Sequence, residues 1–359
     1  MQYDVNYGPL DLLKREAQAA ARATDANIED LKFHIVEESR GESALVIDEG
    51  DRYTAHVIEG LGTKNRVAEE VYRATGRSFF RAIAQDGAAM VLNDLVVCGA
   101  RPVLLNMYIA IGREEYFSPA DCRSDIVEGW KIACNAARCA WGGGETPKLR
   151  DIIMPDTMDL GGSGYGVIMN KAQRILGDVV MDGDAIVFAP STGVHANGLT
   201  LVRDIAETLP DRYQTAVPGG RTYGEEVLVP TPLYSDLIQF CLRNQIWIHR
   251  VENITGHGWR KIMRGNAPYT YVIERLPPQL PIFNFIQEHG QQSDRQMYET
   301  YNMGAGLALI MPAGDAYRLV RIDEGRHGLF IAGYVDIGPK RVVIKPNGLE
   351  YAGDTLGVR

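Results

Sequence analysis

Glu59-Gly60-Leu61-Gly62-Thr63-Lys64 sets a carboxylate and a lysine on either side of a glycine-punctuated turn. Two glycines let backbone N–H groups come close to an anion, Lys64 supplies a cation, and Glu59 is a ligand type for a divalent metal bridging phosphate oxygens. The same residues also build an ordinary tight turn, and the stretch is not a P-loop, because no Gly-Lys-Ser/Thr follows a glycine at the required spacing. Asp86 and Asp94 interrupt an apolar sequence further on, eight residues apart. On a helix this spacing turns both carboxylates to nearly the same side. Two aspartates on an apolar stripe are costly unless paired or metal-bound, and the other reading is a pair of caps or surface ion pairs. Gly142-Gly143-Gly144-Glu145 reads as a flexible loop able to present Glu145 to a metal or phosphate. Ser191-Thr192-Gly193-Val194-His195-Ala196-Asn197-Gly198 precedes a helix, where N–H groups and the helix dipole favour phosphate. A lone His in such a loop also serves as a hydrogen-bonded turn residue.

These residues need elements to place them. Tyr53–Ile58 is rich in β-branched and aromatic residues and reads as a strand running into the turn, with a helix starting after Lys64. The spacing of Ala and Met predicts a long helix over about Ser78–Cys98, carrying Asp86, Asn93 and Asp94. Pro102–Ile111 reads as a buried strand, and Ser118-Pro119-Ala120-Asp121 as a capped start to a helix that runs to about Trp141. Asp159–Ile168 superficially resembles a dinucleotide fingerprint but lacks the following helix and acidic residue, so a glycine-rich strand is preferred. Gly183–Pro190 reads as a strand, Leu199–Thr208 as a helix, and Asn253–Gly258 as another strand end turning on glycines into a helix. A helix is expected over 9–24 and another near Asp315–Glu324, with strands near Ala44–Ile47, Leu329–Val335 and Arg341–Ile344. The polar loop Glu37–Ser43 is placed to lie over a ligand.

The pattern shifts near Lys171–Asp184, which divides the chain into an N-terminal domain over 1–172, a C-terminal α+β domain over 173–345 and a tail over 346–359. The chain carries 37 Lys and Arg against 46 Asp and Glu, a net charge of −9, with no basic run to track a phosphate backbone. Nucleic acid is therefore not an expected partner. No apolar stretch is long enough to span a membrane and the first residues lack the marks of a signal peptide, so the expected location is cytoplasmic. Five scattered cysteines form no Cys-x-x-Cys pair and are expected as reduced, buried thiols.

Taken together and in order, several stretches resemble the aminoimidazole ribonucleotide synthetase (phosphoribosylformylglycinamidine cyclo-ligase) family of purine synthesis. They are Glu59–Lys64, Asn93-Asp94-Leu-Val-Val-Cys-Gly99, Gly143-Gly-Glu-Thr146, Gly183-Asp184, His195-Ala-Asn-Gly198, Ile254-Thr-Gly256 and Tyr301-Asn-Met-Gly304. The wider superfamily includes selenophosphate synthetase, thiamine monophosphate kinase, a hydrogenase maturation protein and formylglycinamidine synthetase. The resemblance implies a two-domain α+β protomer with an N-terminal sheet that pairs across a homodimer into a barrel and a C-terminal α/β sandwich. It implies ATP and Mg2+ near the dimer interface, and a phosphorylated ribonucleotide as substrate. Glu59, Asp86, Asp94 and Glu145 are the implied metal ligands. Gly60, Gly62, Thr63, Lys64, Asn93, Gly143, Gly144 and Thr146 would hold the nucleotide, and His195, Asn197 and Thr255 the substrate. Lys64, Asp94 and His195 are the implied catalytic set.

The departures from the family pattern concentrate around the substrate. Glu59 stands where the family usually has Asp, and Glu38-Ser-Arg-Gly-Glu-Ser43 replaces a glycine- and phenylalanine-rich loop. Met107, beside Asn106, replaces an aspartate, and Pro147-Lys-Leu-Arg-Asp151 replaces Ala-Glu-Met-Pro-Gly. Asn253-Ile-Thr-Gly-His-Gly258 loses one histidine and gains another. Beside the cyclo-ligase two other readings stay open: a paralogue that uses ATP to activate another amide, carboxylate or phosphorylated metabolite, and a non-catalytic nucleotide-binding dimer.

Overall fold

The computed structural model describes residues 8–177 and 179–356. Its first part runs α1 (Gly8–Arg22), β1 (His34–Ile35), β2 (Leu45–Asp48), β3 (Tyr53–Gly60), α2 (Lys64–Thr75), α3 (Phe80–Val96), β4 (Arg101–Ile111), α4 (Ala120–Ala137), β5 (Ala140–Glu145) and β6 (Met158–Ile168). The strands form one six-stranded sheet in the order β1-β2-β3-β6-β4-β5. Helices α3 and α4 cover one face. The glycines of β6 let them in, since a Cβ on Gly164 would lie 2.7 Å from Val91 Cγ1 of α3. The glycine-rich segment over 159–168 is thus a strand with close packing, as its sequence suggests. The opposite face of the sheet is open, and Ile58 on it is 84% exposed.

The second part contains β7 (Asp184–Pro190), α5 (Leu199–Thr208), α6 (Tyr223–Val227), α7 (Ser235–Arg243), β8 (Arg250–Asn253), β9 (Tyr269–Ile273), α8 (Pro281–His289), α9 (Asp294–Thr300), β10 (Ala305–Pro312), α10 (Ala313–Asp323), β11 (Phe330–Ile337), β12 (Arg341–Ile344) and β13 (Leu349–Ala352). Its seven-stranded sheet has the order β13-β12-β9-β11-β7-β10-β8. The near-continuous apolar runs Ala185–Ala189 and Ala305–Met311 are its buried central strands. The two sheets together make an α+β fold. The stretch expected as a tail contributes β13, which pairs antiparallel with β12.

Two local expectations give way. The fourth helix stops at Ala137, where Arg138 turns left-handed at φ 55°, and it begins at Ala120 with no side-chain cap from the preceding residues. The glycines expected as a flexible loop are instead β5, paired parallel with β4. Close strand approach is the physical reason: a Cβ on Gly144 would fall 2.0 Å from Met107 O, and one on Gly142 would fall 2.5 Å from Asn106 Oδ1. Among the described residues no helix is long and apolar enough to cross a membrane. The described cysteines are free thiols, all buried except the half-buried Cys139.

Candidate functional site

Strand β3 carries Glu59 and Gly60 to its end, and the chain then turns at Gly62 (φ 76°) into α2. A Cβ on Gly60, Gly62 or Gly143 would meet nothing within 4 Å, so the backbone here lies open to a ligand. Glu59, Gly60, Gly144 and Glu145 share a hollow of about 530 Å³ with Asn106, Tyr108, Asp159 and Ser163. That volume suits a small-molecule ligand. Glu145 accepts the N–H of Thr146 at 3.1 Å.

A second group lies where the two parts of the chain meet. Lys64 is fully buried, and its Nζ sits 2.8 Å from Asp86 Oδ2 and donates to Val229 O at 2.9 Å. Asp86 Oδ1 accepts the Thr231 N–H at 2.8 Å and also the Thr231 hydroxyl. Burial pushes the Lys64 ammonium down and the Asp86 carboxyl up, each opposed by its partner's charge. Asn93 donates to Pro232 O and accepts the Tyr234 N–H, both at 2.9 Å. Lys64 at the start of α2 and one face of α3 therefore grip the segment 229–234 of the second part. Lys64 and Asn93, expected at nucleotide phosphates, have these partners inside the protein.

Next to this grip stands His195, 1% exposed and left-handed at φ 57°. Neither ring nitrogen has a hydrogen-bond partner, and Nδ2 of Asn197 also lacks one. Burial, reinforced by the charge of Lys64, lowers the His195 imidazole to about 3, so the ring is neutral. Gly306 makes room for it, since a Cβ there would lie 2.9 Å from His195 Cε1. A buried imidazole and amide without partners are costly in a closed core. Beside a bound ligand they would be donors and acceptors kept in reserve.

The third group joins the first two. Asp94 accepts from Asn253 Nδ2 at 2.7 Å, at the end of β8. Beyond it comes the turn Thr255–Gly258, and a Cβ on Gly256 would come within 3.8 Å of Asn197 Oδ1. Lys261 donates to Thr255 Oγ1 at 2.8 Å. Arg264 donates to Gly41 O and to Ser43 Oγ, and Arg250 bonds Glu42 at 2.8 Å, so the loop expected over a ligand is fastened to the second part beside this turn. Glu59 feels the Asp94 charge. Burial first and that charge second raise its carboxyl to about 7, with Lys261 and Arg264 opposing.

Residues 41–168 match the family described as AIR synthase related protein, N-terminal domain. The chain is 34% identical over 288 residues to the phosphoribosylformylglycinamidine cyclo-ligase of Methanosarcina barkeri (strain Fusaro / DSM 804), covering 80% of this chain and 82% of the relative. It belongs to the phosphoribosylformylglycinamidine cyclo-ligase family. The cyclo-ligase of Methanococcus maripaludis (strain C7 / ATCC BAA-1331) is 31% identical over 340 residues, 94% of this chain and 92% of the relative. Among solved structures, AaThiL complexed with AMPPCP and TMP superposes with a TM-score of 0.60 at 13% identity, over 87% of this chain and 90% of that one, which shows a shared fold.

Within this cyclo-ligase fold, the four acidic residues implied as metal ligands do not form one cluster. Among the described residues no three His, Cys, Asp or Glu side chains gather to hold a metal. Asp86 is taken up by Lys64 and Thr231. Glu59 and Asp94 do fit a magnesium ion, which is commonly held by one or two carboxylates together with substrate phosphates. Burial first and the Asp94 charge second disfavour the Glu59 carboxylate, and a divalent cation would relieve both. Lys261, Arg264 and Thr231 lie outside the residues expected at the site. The readable signal for the first two was a run of three cations, Arg260, Lys261 and Arg264, directly after a glycine turn.

Proposed function

We propose that this chain is an ATP-dependent cyclo-ligase of purine biosynthesis that closes formylglycinamidine ribonucleotide to aminoimidazole ribonucleotide. The observation carrying this reading is that the likeness to a cyclo-ligase extends over 94% of the chain, so it covers both walls of the junction where the reserve groups lie. The terminal phosphoryl group of ATP passes to the formamide oxygen of the substrate, releasing ADP. The amidine nitrogen attacks the activated carbon, the C–O bond breaks, and phosphate leaves as the ring closes.

Phosphoryl transfer asks mainly for positioning and for neutralised charge. Glu59 and Asp94 are the residues that would hold Mg2+, which when bound screens phosphate oxygens. The open turn Gly60–Thr63 and the hollow beside Gly144 and Glu145 give the nucleotide room. Neutral His195 and Asn197 hydrogen-bond the ribonucleotide, and Thr255 stands on the neighbouring turn. The open face of the first sheet, with Ile58 exposed, supports a homodimer built on that face.

The test is rescue of a purine-requiring strain that lacks its own cyclo-ligase, together with Mg2+-dependent ADP release coupled to aminoimidazole formation in the purified protein. Absence of growth from a well-expressed, folded protein, with no turnover of formylglycinamidine ribonucleotide, rejects the reading.

A further inference from the structure

An ammonium group can donate three hydrogen bonds. The side chain of Lys261, 7% exposed, makes one among the described residues, to Thr255 Oγ1 at 2.8 Å. A buried cation without a close counter-ion is costly, and charges are kept inside proteins where something pairs with them. Asp94, Glu252 and Glu59 act on Lys261 through space and Arg264 opposes them, but among the described residues no carboxylate is in ion-pair contact with it. Two donors are therefore left for a ligand.

The surroundings fix the sign of that ligand. His257, on the same turn, lies in the field of Arg260, Lys261, Lys14 and Arg264, and with burial they drive its imidazole down to about 4. This side of the junction is electropositive. Thr255, which anchors Lys261, is two residues beyond Asn253, the partner of Asp94. The turn also adjoins Asn197, whose Nδ2 has no partner. Cations of this turn, two carboxylates within their field, and unpaired amide and imidazole groups nearby are the chemistry that receives a phosphate group.

We propose that Lys261 is a phosphate-binding residue of the junction, donating its two spare N–H bonds to oxygens of a phosphate presented opposite Glu59 and Asp94. This deepens the cyclo-ligase reading and rests on it for the identity of the phosphate, which belongs either to the terminal end of ATP or to the ribose 5′-phosphate of the substrate. In either case Lys261 works as a tethered counter-ion, filling from the second part of the chain a role that a metal alone would otherwise carry.

The experiment is calorimetric titration of the full chain with two probes, Mg2+ plus adenosine 5′-(β,γ-imido)triphosphate, and ribose 5-phosphate, for the wild type, K261M and K261R. K261M should lose about tenfold or more in affinity for one probe, the worth of a charge-assisted hydrogen bond, and K261R should regain most of it. A loss for the imidotriphosphate assigns the contact to ATP, and a loss for ribose 5-phosphate assigns it to the substrate. A cooperatively melting K261M that binds both probes like the wild type overturns the proposal, as does a wild type that binds neither. Where K261M does not melt cooperatively, K261Q, which keeps a polar N–H donor without the charge, gives the same reading. Failure of ring closure in a wild type that binds the imidotriphosphate through Lys261 would reject the cyclo-ligase reading alone.

Discussion

Lys64 and Asp86 form an ion pair with both side chains fully buried, and substitution there separates a structural strut from a phosphate ligand. Removing one member of such a pair leaves the other charge in a dry site and costs about 3–5 kcal/mol. Lys64→Met also leaves Val229 O without its donor, a further loss of about 1 kcal/mol. Asp86→Leu strands the Lys64 ammonium together with the Thr231 N–H and hydroxyl. Against a typical total stability of about 5–15 kcal/mol either change is severe. The double variant K64M/D86L removes both charges but still leaves Val229 O and the Thr231 N–H and hydroxyl unpaired, so it should be destabilised by clearly less than the two single changes summed. Urea unfolding followed by fluorescence and by circular dichroism on all four proteins gives the cycle, and the two residues should couple by at least about 2 kcal/mol. Binding of Mg2+ plus the imidotriphosphate to the double variant supplies the functional arm, and affinity close to wild type is expected. The reasoning fails if Lys64→Met is as stable as the wild type yet loses the nucleotide, because Lys64 would then face phosphate and not Asp86.

Asp94→Asn should keep its bond to Asn253, since the amide oxygen still accepts, and so leave the melting transition in place while abolishing Mg2+-dependent ATP turnover; normal turnover would remove Asp94 from the metal pair. His195 is neutral in the fold, with its pKa lowered to about 3, whereas in the unfolded chain it binds a proton below about 6.5. Stability from this group is present above that value and is lost as pH falls towards the folded one. By about pH 5 the wild type should have lost about 2 kcal/mol relative to His195→Asn, which tolerates the left-handed backbone; parallel pH curves for the two proteins would show that His195 is not buried neutral. Gly144→Ala places a Cβ against Met107 O and should cost about 1–3 kcal/mol in urea unfolding, whereas an unchanged midpoint would mean that β5 does not pair with β4 as described.

The sequence made the backbone of the first part largely readable where a strand has its own signature. Tyr53–Ile58 is rich in β-branched and aromatic residues, Pro102–Ile111 is apolar but for Asn106, and both are strands. Gly142–Gly144 carries no side-chain pattern to read. It is a strand because β4 accepts it as a parallel neighbour, and that contact is tertiary. The same limit applies to the site. Asp86 and Asp94 stand out as acidic residues on an apolar stripe, and both do reach across to the second part of the chain. What each reaches is set by partners far along the sequence. Thr231 lies 145 residues from Asp86. Asn253 lies 159 residues from Asp94.

That separation decides which carboxylate can meet a metal. Both aspartates look equally available on a helix drawn from sequence. The fold gives Asp86 an ammonium in direct contact and two donors, whereas Asp94 receives one amide, lies beside Glu59 and has Lys261 only at longer range. A carboxylate already neutralised gains little from a cation, and one facing another carboxylate gains most. On the proposed reading, magnesium with a nucleotide therefore has its driving force at Glu59 and Asp94. Lys261, left with two free donors beside them, is the residue through which the second part of the chain takes hold of the phosphate.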